Sequence, residues 1–144
     1  MIAVDTNILV HAHRADSAQH DQAYDVVRSL AEGRTAWAIP WPCIHEFLAV
    51  VTNRRIFSDP TPITSALDQV EVWLESPSVT TLAEPVGYWS ALRPLVDRGM
   101  VTGPRVHDAR IGAICVVHGV SQLLTADRDF GRFPALETRN PLVT

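Results

Sequence analysis

Largely apolar runs of strand length recur four times in this chain, at Met1–Val4, Thr35–Ile39, Val79–Leu82 and Ser121–Thr125. Stretches with helical periodicity separate them. That alternation restricts the chain to an α/β fold with a short, largely parallel central sheet, because parallel strands need long crossovers and helices supply them. No internal repeat or linker interrupts the 144 residues. A single domain spanning residues 1–144, large enough for a real core, is expected.

The helices announce themselves by their apolar stripes and their punctuation. Asp16 with Gln19 resembles a capping box, and Ala23, Val26, Val27, Leu30 and Ala31 follow on one face up to Gly33. Cys43–Asn53 carries Ile44, Phe47, Leu48 and Val51 on one face. Pro62 opens a third helix through Trp73 and Leu74, and Pro85 a fourth through Trp89, Leu92 and Val96, kinked at Pro94. From Ala109 to Val117 the sequence is apolar almost all round, which marks a buried helix.

Composition removes several classes of function. A formal charge of −4 argues against a broadly basic surface that coats nucleic acid. All twelve basic residues are arginine, which coding bias explains, although guanidinium groups also suit phosphate contacts. No apolar run reaches the roughly 18 residues a membrane span needs, and the N-terminus lacks a signal-peptide pattern. A cytoplasmic protein is expected. Cys43 and Cys115 stand far apart in apolar contexts and read as buried free thiols. His11, His13 and His20 cluster in sequence, but their spacing fits no closed zinc set, and surface or structural roles suit them better.

The carboxylates are harder to explain away. Asp5 ends the first strand, where it either caps the following helix or stands at the carboxyl end of a parallel strand, the place where open α/β sheets hold ligands. Glu46 is the only Asp, Glu, Lys or Arg between Ala36 and Asn53, with Cys43, Ala49 and Val50 as neighbours. An exposed, merely solvating Glu46 is the weaker reading there, since a buried carboxylate needs a partner or a metal. Asp108 lies in the first turn of the buried helix, where the dipole alone favours an anion. Asp127 and Asp129 follow the fourth strand in a turn whose chemistry suits Asp without any function. Converging carboxylates repel one another and raise each other's pKa unless a cation intervenes. With oxygen ligands alone, that cation is expected to be Mg²⁺, or Mn²⁺, and it would activate water at a phosphodiester.

Val4-Asp5-Thr6-Asn7, the Glu46 helix, His107-Asp108-Ala109 and Thr125-Ala126-Asp127-Arg128-Asp129-Phe130 together resemble the PIN-domain nucleases. Chain length and motif order are similar to the VapC toxins of bacterial toxin–antitoxin pairs, over essentially the whole chain. The resemblance implies a PIN-like three-layer α/β/α domain and a Mg²⁺-dependent endoribonuclease acting on tRNA or rRNA loops. It implies an acidic metal site of Asp5, Glu46, Asp108 and Asp127, with Asp5 and Asp108 as the safest direct ligands. Thr6 and Asn7 would support the Asp5 turn, and Thr125 would orient the site or meet the scissile phosphate. Asp129 would bind metal through water or, by a slight preference, cap the turn before Phe130. A homodimer and a VapB-type antitoxin partner are implied too. Two competing readings remain: an inactive PIN-like RNA- or protein-binding module, and a hydrolase using Asp5 as covalent nucleophile. The second lacks the D-x-D-x-T motif it needs. Asn in place of Asp5 is expected to keep the turn capped and spare the fold.

Overall fold

The computed structural model describes residues 1–143. Its strands are β1 (Ile2–Val4), β2 (Trp37–Pro40), β3 (Val79–Leu82), β4 (Gln122–Leu124) and β5 (Thr138–Arg139). Its helices are α1 (Thr6–His13), α2 (His20–Glu32), α3 (Trp41–Val51), α4 (Ile63–Leu74), α5 (Tyr88–Arg98) and α6 (Val106–Val117). Short 3-10 turns occupy Gly103–Arg105 and Arg128–Arg132. The strands form one sheet in the order β3-β2-β1-β4-β5, and every neighbouring pair is parallel. Helices flank it in a three-layer α/β/α arrangement.

The central strands are apolar because both of their faces are covered. Ala3, Val4, Trp37, Ala38 and Ile39 are all fully buried. Trp37 keeps its indole N–H satisfied by donating to Ser76 Oγ at 3.1 Å. Phe47 on α3 packs edge-on against Trp73 of α4 and His13 of α1, which ties three helices together. In α6, Gly112 lies against the Phe133 ring, and an added Cβ would meet it at 3.4 Å, ordinary van der Waals contact. Gly112→Ala is therefore expected to stabilise the fold by about 0.5–1 kcal/mol, the cost of a helical glycine, measured as a higher urea midpoint. A lower midpoint would mean that the Phe133 contact tolerates no methyl.

Strand order places the site. The chain lays β2 and β3 to one side of β1, then returns to put β4 on the other side. The switch point therefore lies between β1 and β4, whose ends are in register at Val4 and Leu124. Crevices outside the carboxyl ends at such a point are where open α/β sheets bind ligands. Asp5 leaves β1 there, its N–H donating to Leu124 O at 3.0 Å, and Thr125 leaves β4 alongside it.

Two expectations need correction, and one element was not foreseen. The Asp16–Gln19 capping box does not form: α2 begins at His20, and Asp16 is instead held by the Arg14 guanidinium, with bonds of 2.9 and 2.6 Å. A two-pronged charged contact outcompetes a backbone cap. The fourth helix starts at Tyr88 rather than Pro85, because Gly87 adopts φ +87° and breaks the run. The edge strand β5 escapes sequence reasoning altogether, being two residues long and polar.

Candidate metal centre

Asp5 is the most constrained acid in the molecule. It caps α1, accepting from Thr6 N–H at 2.8 Å through Oδ1. The Cys43 thiol donates to the same oxygen at 3.6 Å. Oδ2 accepts from Asn7 Nδ2 at 3.1 Å and from Thr125 Oγ1 at 2.7 Å. Burial pushes the Asp5 pKa up and Glu46 adds to that, while the bonds from Thr125, Thr6 and Cys43 pull it back. The cap and the site readings of Asp5 are thus not alternatives: one side chain does the first and faces the second.

Thr125 is the hub beneath it. Its buried hydroxyl donates to Asp5 and accepts from Asn7 Nδ2 at 3.2 Å and Asp127 N–H at 3.0 Å. With its donor committed, Thr125 orients the site, and the idea that it meets a phosphate loses support. Asn7 closes the loop by accepting from Ala126 N–H at 3.0 Å, so the turns after β1 and β4 are clamped together. Thr6 Oγ1 donates to Glu46 Oε2 at 3.2 Å, which draws α3 into the same network.

All four expected acids, Asp5, Glu46, Asp108 and Asp127, line one cleft of about 190 Å³, together with Thr6, Asn7 and His11. Glu46 is nevertheless exposed, as is Ala49, so the expectation of a buried α3 carboxylate was wrong in detail. The small, apolar neighbours of Glu46 wall the opening and do not enclose it. Asp129 is also placed differently. The turn is capped by Asp127, which accepts from Asp129 N–H at 2.8 Å, while Asp129 itself pairs with Arg105. Among the described residues, Asp108, Asp127 and Asp129 each bring one oxygen within 4.8 Å of the others. Asp5 and Glu46 stand in the cleft outside that trio. His11 went unrecognised as a cleft residue, although it follows Asn7 by four residues, one helical turn along the same face.

The electrostatics match the crowding. Burial and then the charges of Asp127, Asp5, Glu46 and Asp129 push Asp108 up to about 6. His11 is lowered by burial. The donors are all oxygen at the trio, the set a hard divalent cation selects, and no thiolate competes: burial holds the Cys43 thiol protonated and pushes Cys115 up to about 12. The residues present therefore fit Mg²⁺ or Mn²⁺.

Residues 2–136 match the family model described as PIN domain. The chain belongs to the PIN domain family. This PIN domain is 34% identical over 142 residues to VapC ribonuclease Mb2897 of Mycobacterium bovis, covering 99% of this chain and 96% of the relative. It is 31% identical over 141 residues to ribonuclease VapC25 of Mycobacterium tuberculosis, covering 98% and 99%. Its fold is shared with M. tuberculosis VapC20, a sarcin-ricin loop cleaving toxin, at TM-score 0.69 and 18% identity, with 97% and 100% of the chains covered. It is shared too with a chain of VapBC2 from Rickettsia felis, solved on a promoter DNA fragment, at TM-score 0.68 and 21% identity, with 97% and 98% covered.

Proposed function

We propose that this PIN domain is a Mg²⁺-dependent endoribonuclease, the toxin of a VapBC-type pair, cleaving loops of tRNA or rRNA. The observation that carries the proposal is the convergence of Asp5, Glu46, Asp108 and Asp127 on one cleft at the sheet's switch point. Relatives named VapC ribonuclease supply the substrate class. Mn²⁺ would substitute for Mg²⁺ at the same oxygens. Asp108, Asp127 and Asp5 would hold the cation, with Glu46 at the rim and Asp129 as a further ligand. When bound, a divalent cation makes water a stronger nucleophile and stabilises the charge that develops on a phosphoryl group.

The chain's own residues do the rest. Thr125 and Asn7 fix the Asp5 carboxylate, and Asp129 N–H fixes Asp127, so the oxygens are preorganised before any ligand arrives. Asp108 holds a proton below about pH 6, so cation binding there releases that proton and weakens as the solution is acidified. Unpaired RNA loops suit the cleft because splayed nucleotides can bring a phosphate to a recessed site. We place the protein in the cytoplasm as one domain, working as a homodimer and restrained by a VapB-type antitoxin. No helix among the described residues is long and apolar enough to cross a membrane.

The test is incubation of purified protein with total RNA, with and without EDTA. Cleavage that needs Mg²⁺ supports the proposal; cleavage that survives chelation refutes the metal role. A smaller prediction concerns Arg105, whose guanidinium neutralises Asp129. Because that pair is largely solvated, Arg105→Ala is expected to tighten Mg²⁺ binding by no more than about fivefold. Calorimetric titration measures it, and weaker binding would show that Arg105 supports the site instead of competing for it.

A further inference from the structure

A second cavity, of about 470 Å³, opens between α3 and α6 and shares Glu46 and Asp108 with the acidic cleft. It is chemically unlike that cleft. His45, His107 and Arg110 bring ring faces and a cation, and Pro104 gives a flat apolar wall. Trp41, one turn before His45 and 37% exposed, lies beside it with ring centroids 6.4 Å apart and planes tilted by 33°. The Arg110 guanidinium is oriented by Glu84 yet stays 40% exposed. An exposed tryptophan and imidazole bordering a cavity is poorly explained by core packing, since neither ring is buried.

We propose that this cavity is a nucleoside subsite: it seats the base of an unpaired RNA nucleotide next to the phosphate that lies in the acidic cleft. The inference rests on the ribonuclease proposal above. The two openings adjoin, sharing Glu46 and Asp108, and the volume falls within the roughly 300–1,000 Å³ of ligand sites. Trp41 and His45 supply a stacking platform, and stacking is tolerant of base identity. Arg110 adds a half-exposed guanidinium, shared with Glu84, whose remaining N–H groups can donate to a base edge or phosphate oxygen. It is the guanidinium in this cavity, which gives the arginine-only basic set a local use.

The experiment is fluorescence anisotropy of labelled single-stranded RNA with EDTA-treated full chain, beside Trp41→Ala, His45→Ala and a Trp89→Ala control outside the cavity. Each cavity variant is expected to weaken binding about tenfold, the effect of one lost stacking contact, with the control unchanged. Moving an abasic nucleotide along the RNA should find one position that costs the wild type a similar factor and costs Trp41→Ala nothing further. Equal binding by all variants, with Mg²⁺-dependent cleavage intact in the wild type, overturns the subsite and leaves the nuclease standing. Absence of wild-type cleavage overturns the nuclease itself. Sedimentation velocity supplies the last arm: if Trp41→Ala or His45→Ala splits an oligomer and binding falls only in step, this face joins two copies and the subsite is wrong.

Discussion

Asp108→Asn is expected to abolish RNA cleavage and at the same time to make the metal-free protein more stable. Removing a ligand carboxylate forfeits several kcal/mol of charge stabilisation at the cation, and each 1.4 kcal/mol is tenfold in rate, so the loss should reach about a hundredfold or more. The stability gain follows from linkage. Asp108 titrates near 6 in the folded chain against an ordinary value of 3.8, so between those limits the folded state binds more protons than the unfolded one. For this group, stability is greatest below pH 4, falls as the pH rises, and levels off above about 6. Asparagine carries no charge and abolishes that loss. Since the side chain is only half-buried, solvent screening limits the gain to about 1 kcal/mol. Urea titrations in EDTA at pH 5 and pH 7.5 should show the variant's advantage at both, roughly twice as large at the higher pH. Saturating Mg²⁺ should then reverse the ranking, because only the wild type gains from the cation.

Asp5→Asn makes the same chemical change and should have the opposite effect on stability. Four donors converge on Asp5: Thr6 N–H and the Cys43 thiol on one oxygen, Asn7 Nδ2 and Thr125 Oγ1 on the other. An amide must turn its NH₂ toward one of those pairs. Facing Asn7 it meets a donor that cannot flip, because Asn7 Oδ1 is committed to Ala126 N–H. Facing Thr6 it deprives the first N–H of α1 of its acceptor. Relief of a buried charge offsets part of the loss, but a buried donor left unmet costs about 1–3 kcal/mol, and that wins. The expected outcome is loss of cleavage with a lower urea midpoint at pH 7.5. The expectation that asparagine spares the fold rested on the cap alone; the bonds from Asn7, Thr125 and Cys43 weigh against it. A midpoint equal to or above that of the wild type would mean the network around Asp5 is looser than its distances indicate.

What the sequence revealed and what it hid follow from how each signal is encoded. Asp5 and Asp127 were legible because each ends a short apolar run, and strand ends have a direction in an α/β fold. Asp108 was legible from its place at the start of an apolar helix. Their meeting was not legible, since it depends on β4 pairing with β1 across the switch point, a choice no local pattern records. The environment of Glu46 was misjudged because apolar neighbours on a helix can wall an opening as readily as fill a core. Asp127 takes the capping role expected of Asp129 while keeping its place in the cleft, and Asp129 is drawn to Arg105, more than twenty residues earlier, a contact no local pattern records. His11 failed to stand out because a histidine on a helix has many uses, and only Asn7 one turn before it pointed inward.

The most direct test of the central claim, that these carboxylates form one divalent-cation site, is an anomalous difference map from a crystal grown with Mn²⁺. The structure predicts a single strong peak in the cleft, within bonding reach of Asp108 and Asp127 oxygens and bordered by Asp5. A map with manganese bound only elsewhere, and the Asp108, Asp127 and Asp129 oxygens left to one another and to Arg105, would contradict it.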